Sequence, residues 1–152
     1  MKSLLFNPGQ HTATSSFGLL TARVSLGLFM LIGHGWHKVS AFDAIAPKFQ
    51  DNMGIPPWLT ACAIAAEVFG AALIVAGLAT RPAALTLVAT MAVAAFKAQA
   101  ANPLFTGPGV GAAKEPALLY LIGFTVLVFT GAGLFSIDQK IGGKGTASNS
   151  ES

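Results

Sequence analysis

The segment Trp58–Ala79, WLTACAIAAEVFGAALIVAGLA, is apolar or small throughout except for one carboxylate, Glu67. A helix over this segment is about 33 Å long at about 1.5 Å per residue, which is enough to cross a hydrocarbon core of roughly 30 Å. Glu67 then lies near mid-depth, where a charge costs at least about 2–3 kcal/mol unless it has a partner or a cavity. Small residues on the Glu67 face let a neighbouring helix approach closely. The segment predicts a membrane-spanning helix with an inward-facing acid.

The composition of the whole chain is that of a membrane protein. Of the 152 residues, 53% are apolar and 10% are charged, whereas soluble domains average about 25% charged residues. Long apolar runs without alternation favour helices over a barrel. The net charge is only +3, and no basic helix or Cys/His finger spacing indicates nucleic-acid binding. Because Cys62 is the single cysteine, any redox role needs a bound cofactor or another protein.

The apolar runs predict an all-α, polytopic membrane protein built as a four-transmembrane-helix bundle. We expect a polar N-terminal tail over residues 1–16, a membrane domain over 17–135 and a polar, disordered C-terminal tail over 136–152. The spanning helices are expected at about 17–38, 58–79, 83–100 and 115–133. The lipid bilayer is therefore the main partner of the chain.

Two of the connections also have an interpretable sequence. Residues 39–57 alternate apolar and charged side chains and predict a short amphipathic surface helix, ended by Gly54 and the Pro56–Pro57 pair. Residues 102–113 are rich in Gly and Pro and predict a loop.

The depths of three charged or polar residues suggest a buried cluster. Arg23 lies about 9 Å above the start of helix one, His34 about 16 Å higher, and Glu67 on descending helix two between those levels. We therefore expect Arg23 to contact Glu67, directly or through water, with His34 above the pair. The contact is either a site for a ligand or an ion pair that only fixes helix packing, and the sequence leaves both open.

Arg23, His34 and Glu67 are the candidate catalytic residues, and four others join them as candidate ligand-binding residues. These are His37, Lys38, Lys97 and Glu115. Each of the four also has an ordinary explanation: His37 and Lys38 suit a solvated interface, Lys97 a snorkelling lysine and Glu115 a helix start. The spacing of His34 and His37 suits a metal ion, but no third ligand is marked, so we predict no metal site.

Several sequence segments occur in an order that resembles that of a known protein family. Helix one reads RVSLGLFMLIGHGWHK from Arg23, helix two reads AEVFGAALIVAGLATRPAAL from Ala66, helix four begins KEPALLY, and TGAGLFSID follows it. Over about residues 18–138 the chain resembles the DoxX family of small four-helix inner-membrane proteins. Two departures are Gly70-Ala71, where the family often has Gly-Gly, and the Lys97–Gln99 region, where it often has a histidine. The second departure puts a ligand role for helix three in doubt.

The resemblance implies an inner-membrane protein connected with quinone, thiosulfate or oxidative-stress chemistry. The residues name no cofactor, and a quinone is our hypothesis, because His34 and Glu67 are groups that can bind its oxygens and handle protons. The first hypothesis is thus a quinone-linked oxidoreductase component whose electron donor is a soluble or membrane redox partner. The alternative is a non-catalytic anchor or chaperone-like partner of a redox or metal-handling complex. A solute transporter is disfavoured because inverted repeats and broken helices are not evident.

Four spanning helices place both termini on the same side of the membrane. The lysines and arginines flanking the helices are balanced between the two sides unless Arg23 is counted, which favours cytoplasmic termini. A topology reporter fused before Lys2 and a second one fused after Ser152 should both report the cytoplasm. Reports from opposite sides would contradict the four-helix arrangement.

Overall fold

The computed structural model of the protein describes residues 12–109 and 111–142, and in this part of the chain all regular structure is helical. The helices are α1 Ala13–Ser40, α2 Phe42–Met53, α3 Pro57–Ala76, α4 Thr80–Ala98, α5 Glu115–Thr130 and α6 Ile137–Gly142. Three of them, α1, α3 and α4, are long and apolar enough to cross a membrane, and α5 is an apolar helix of 16 residues. The predicted all-α membrane bundle is confirmed.

Local signals in the sequence set the helix ends. Thr12 caps α1, since its Oγ1 accepts a hydrogen bond of 3.2 Å from the backbone N–H of Ser15. Helix α2 occupies the segment predicted to be amphipathic and stops at Gly54, and α3 stops at Gly77, because both glycines adopt left-handed backbone conformations. Helix α4 therefore starts at Thr80, three residues earlier than expected from the sequence.

Two helices change from α-helical to the wider π-helical geometry toward the end of the bundle that lies away from α6. Helix α1 is π-helical over Phe29–Trp36 before a last α-helical turn, and α4 is π-helical over Ala94–Ala98. π-Helical segments are rare in proteins, and those that occur are often found at functional sites. They include His34 and Lys97, two of the residues selected from the sequence.

The helices pack in the order α1, α3, α4, α5, and α5 touches α1 only over a short stretch. Small residues let α1 and α3 approach closely: a Cβ added to Gly27 would lie 2.6 Å from Cγ2 of Val75, and one added to Gly35 would lie 3.0 Å from Cγ2 of Val68. In lipid, such close packing substitutes for the hydrophobic effect as the force that joins helices. The α1–α3 register is thus fixed by Gly27 and Gly35.

A buried arginine ties the chain together at the end of the bundle where α3 stops. Arg23 is only 2% exposed. Its guanidinium donates to the carbonyl oxygens of Ile74 at 2.9 Å and Val75 at 2.6 Å, and also to that of Phe135. The last carbonyls of a helix have no partner within it and carry the negative end of its dipole. Arg23 thus caps α3 and holds the segment after α5 against it.

Asp138 makes the matching contact at the start of α4. Its carboxylate accepts hydrogen bonds from the N–H groups of Ala79 at 2.7 Å and Thr80 at 2.9 Å, and its own N–H donates to the Gly77 carbonyl at 2.9 Å. Asp138 also interacts electrostatically with Arg23. Arg23 thereby satisfies the end of α3 and Asp138 the start of α4, and their opposite charges offset each other.

The expected disordered C-terminal tail over 136–152 is wrong for residues 137–142, which form α6. Ser136 and Asp138 are buried there, because helix ends supply partners that a polar composition does not reveal. The expected N-terminal tail over 1–16 is likewise too long, since Ser16 is buried in α1 and accepts a hydrogen bond from the N–H of Leu134. Residues 1–11 and 143–152 lie outside the described residues.

The cap formed by Asp138 predicts a stability effect. In Asp138→Ala the amides of Ala79 and Thr80 lose their acceptor, at about 1–3 kcal/mol for each buried group left unpaired. Thermal unfolding in detergent should therefore occur at a clearly lower temperature than in wild type. Asp43→Ala, which changes an exposed aspartate of α2, should melt within the error of wild type. Equal melting of the two variants would mean that α6 is not docked.

Candidate functional site

Glu67 pairs with a lysine at the end of the bundle that lies away from α6. The Nζ of Lys38 lies 2.7 Å from each carboxylate oxygen of Glu67. The Glu67 side chain is 5% exposed and that of Lys38 is 26% exposed. The flexible lysine stem thus carries its charge inward to a carboxylate that is almost fully dry. This pair removes most of the cost of burying Glu67.

The expected contact between Arg23 and Glu67 is therefore wrong. Arg23 donates to the carbonyls of Ile74 and Val75, which lie seven and eight residues beyond Glu67, or about 10–12 Å along α3. Equal depths measured from assumed membrane boundaries do not fix the offset between two helices. The structure sets the register through Gly35, which faces Val68, so Glu67 is level with the far end of α1.

His34 lies beside this pair and faces α5. It is half-buried, and it is close enough to Lys38 and Glu67 to interact with both electrostatically. Its ring meets the edge of Tyr120 with 5.2 Å between centroids and 86° between planes, and Tyr120 stacks on Phe124 at 5.9 Å. Edge-to-face and stacked pairs of this kind hold aromatic rings in place. His34 therefore fixes the position of Tyr120.

A groove runs between α1 and α5, where these two helices barely touch. Its volume is about 450 Å³, which is within the range of small-molecule sites. The walls are largely apolar, with polar groups from α5 and the loop before it. The lining residues are Leu26, Phe29, Thr106, Glu115, Pro116, Leu119 and Tyr120. We call this feature the α1–α5 groove.

Glu115 is the one residue of the α1–α5 groove that the sequence selected. Tyr120 and Thr106 were missed, although Tyr120 is the single tyrosine of the chain and follows Glu115 by five residues. That spacing could have marked Tyr120 as a polar group inside an apolar helix. Thr106 carries no such signal, because only the folded loop brings it to Glu115.

Two other candidates take no part in these hydrogen bonds and ion pairs, although His37 is close enough to His34 to interact with it electrostatically. His37 and Lys97 are exposed, and neither forms an ion pair or side-chain hydrogen bond within residues 12–109 and 111–142. No group of three or more His, Cys, Asp or Glu side chains in those ranges could hold a metal ion. The structure therefore divides the seven candidates into a Lys38–Glu67 pair with His34, the Arg23 contact at the other end, Glu115 in the α1–α5 groove, and two exposed residues.

An apolar layer separates the two charged ends of the bundle. Met30, Ile74, Leu87 and Phe124 have no exposed surface, and they belong to one packed cluster between the level of Glu67 and that of Arg23. Packed hydrophobic side chains of this kind fill the interior at high density. They separate the buried charged groups of the two ends.

Comparison with known proteins agrees with this architecture. The sequence model of the DoxX family matches residues 18–100, more than half of the chain. The chain belongs to the DoxX family. An uncharacterized protein of Haemophilus influenzae is 35% identical over 112 residues, which cover 74% of this chain and 82% of the relative. No solved structure matches the chain.

The DoxX match divides the site in an informative way. It includes Arg23, His34, Lys38 and Glu67, and it ends near the last residue of α4. The matched region therefore contains the Lys38–Glu67 pair, the Arg23 contacts with Ile74 and Val75, and the α1 wall of the groove. The polar residues of α5, which begins at Glu115, come from outside the matched region.

The Lys38–Glu67 pair of this DoxX protein can be tested by a double-mutant cycle. Lys38→Met leaves a buried carboxylate unpaired, which costs about 3–5 kcal/mol in a fully buried pair; we expect the lower end, because Lys38 keeps some exposure. Lys38→Met combined with Glu67→Leu should lose less stability than the sum of the single variants. Lys97→Met is the matched control at an exposed lysine. Additive losses in detergent melts would mean that Lys38 and Glu67 do not interact.

Proposed function

We propose that this DoxX-family protein is a quinone-linked component of a membrane redox system. It would lie in the bacterial inner membrane as a multi-pass protein with cytoplasmic termini, an orientation that rests on counting Arg23 with the terminal side, because the other flanking lysines and arginines are balanced. Its electrons would come from a soluble or membrane redox partner, because Cys62 alone offers no dithiol.

The observation that carries this proposal is the α1–α5 groove. A quinone needs an apolar slot for its ring and tail and one or two polar groups for its oxygens. Leu26, Phe29 and Leu119 supply apolar walls, the Tyr120 hydroxyl supplies a donor for a ring oxygen, and Glu115 adds an acceptor at the polar end of the groove. Phe29 and Leu119 are 66% and 61% exposed on the lipid-facing surface, so a lipid-soluble ligand could reach the groove from the bilayer.

His34 takes a positioning role in this proposal. It does not line the groove but holds the Tyr120 ring that does. An imidazole can take up or release a proton, and quinone reduction takes up two protons with two electrons. The Lys38–Glu67 pair adds opposite charges beside His34, and Arg23 has a structural role at the other end.

A second function is favoured by a different observation. Arg23, Lys38, Glu67 and Asp138 all have partners within the protein, and this is what packing alone would require. The protein would then be a non-catalytic anchor or chaperone-like subunit of a redox or metal-handling complex.

Quinone titration of the protein in nanodiscs separates the two functions. Wild type should bind a quinone, and His34→Ala should bind it about tenfold more weakly with nearly unchanged melting, because Tyr120 loses the ring that positions its hydroxyl, and a weakened hydrogen bond costs about 1 kcal/mol or more. His37→Ala is the matched control, because this exposed histidine lies three residues away and should leave binding unchanged.

Two results would remove the quinone proposal. One is a wild-type protein that binds neither a quinone nor its hydroquinone above the level of empty nanodiscs, and the other is a His34→Ala variant that binds as tightly as wild type. The anchoring function would then be the better account.

A further inference from the structure

The polar end of the α1–α5 groove has an unusual balance of hydrogen-bonding groups. Glu115 is half-buried there, and its Oε2 accepts from both the N–H of Thr106 at 3.3 Å and the Oγ1 of Thr106 at 3.2 Å. Within the described ranges, its Oε1 has no hydrogen-bond donor. Glu115 lines the groove, and one of its two carboxylate oxygens accepts from no protein donor in those ranges.

Four donors next to this acceptor, from Thr106 and from the backbone of Lys114 and Glu115, are already used. Both donors of Thr106 point at Glu115. The backbone N–H groups of Lys114 and Glu115 donate to the carbonyls of Pro103 and Leu104, each at 3.0 Å. Pro116, the next residue, has no N–H at all. These four donors thus form hydrogen bonds within the loop and with Glu115, whereas Oε1 of Glu115 accepts from none of the described residues.

Tyr120, the other polar residue that α5 contributes to the groove, lies about 7.5 Å beyond Glu115 along the helix axis at about 1.5 Å per residue. Its hydroxyl can donate or accept, so it does not discriminate between ligand oxygens that are carbonyls and those that are hydroxyls. An ionised glutamate can only accept. Discrimination between these ligands therefore depends on Glu115.

We infer that the α1–α5 groove selects the reduced, dihydroxy form of its ring ligand, a quinol, through a hydrogen bond from a quinol hydroxyl to Oε1 of Glu115. The inference rests on the proposed quinone-linked function and specifies which redox form the site holds. A quinone would place a carbonyl oxygen against the carboxylate, with two acceptors facing each other and no proton between them. Leu26, Phe29 and Leu119 hold the ring equally well in either form.

Glu67, the acid that the sequence indicated for this chemistry, is less suited to it than Glu115. Both oxygens of Glu67 bind Nζ of Lys38, and Glu67 does not line the groove. Glu115 lines the groove and has a free oxygen. Glu115 is thus the ligand-contacting acid.

The test compares a short-chain alkyl hydroquinone with its matching quinone, each titrated without oxygen into wild-type protein in nanodiscs, with empty nanodiscs subtracted. Wild type should bind the hydroquinone about 10- to 100-fold more tightly, the range for a hydrogen bond to a charged group. Glu115→Gln keeps the size of the side chain but adds an N–H₂ donor. Its preference should fall to near onefold or reverse, while Asp43→Asn should keep the wild-type ratio.

The outcomes distinguish the inference from the function on which it rests. If wild type binds neither ring, the quinone-linked function fails. If wild type binds both equally, or if Glu115→Gln keeps the hydroquinone preference, the function stands and the inference is overturned. Should Glu115→Gln not fold, Glu115→Asp keeps the charge but withdraws the oxygen, and we expect hydroquinone binding to weaken about tenfold with quinone binding unchanged; an unaltered hydroquinone affinity would overturn the inference.

Discussion

The satisfaction of helix ends by Arg23 and Asp138 is the constraint on which the rest of this bundle depends. A bilayer offers no water to the last carbonyls of one helix or the first amides of the next. Arg23 supplies donors to the end of α3, and Asp138 supplies acceptors to the start of α4. Because Asp138 belongs to α6 and Arg23 to α1, the same contacts join the first and last described helices.

The register between α1 and α3 also determines which residues meet at the opposite end of the bundle, where the candidate site lies. With Gly27 against Val75 and Gly35 against Val68, the far end of α1 lies level with Glu67 and brings Lys38 to it. The same placement turns His34 toward Tyr120 and leaves a gap between α1 and α5. The groove is thus a product of helix packing, and its polar end is added by the loop that binds Glu115.

The sequence was sufficient for some of these features and not for others. The fold class, and the burial of Glu67 inside an apolar run, follow from composition and helix length. The partner of Glu67 does not, because it depends on an offset between α1 and α3 that only the packing of glycines defines. The order of residues 137–142 was missed for a related reason: a polar side chain such as Asp138 reads as solvated until the helix end that it caps is known. Thr106 meets Glu115 through loop geometry, which no periodicity encodes.

The apolar layer between the two charged ends has an electrical consequence. Moving one elementary charge across a membrane potential of 100 mV is worth about 2.3 kcal/mol. Met30, Ile74, Leu87 and Phe124 pack between the two charged ends among the described residues. If the ligand that we propose for the groove exchanges protons at the Lys38–Glu67 end, those protons would not cross this layer, and their exchange would draw no work from the membrane potential.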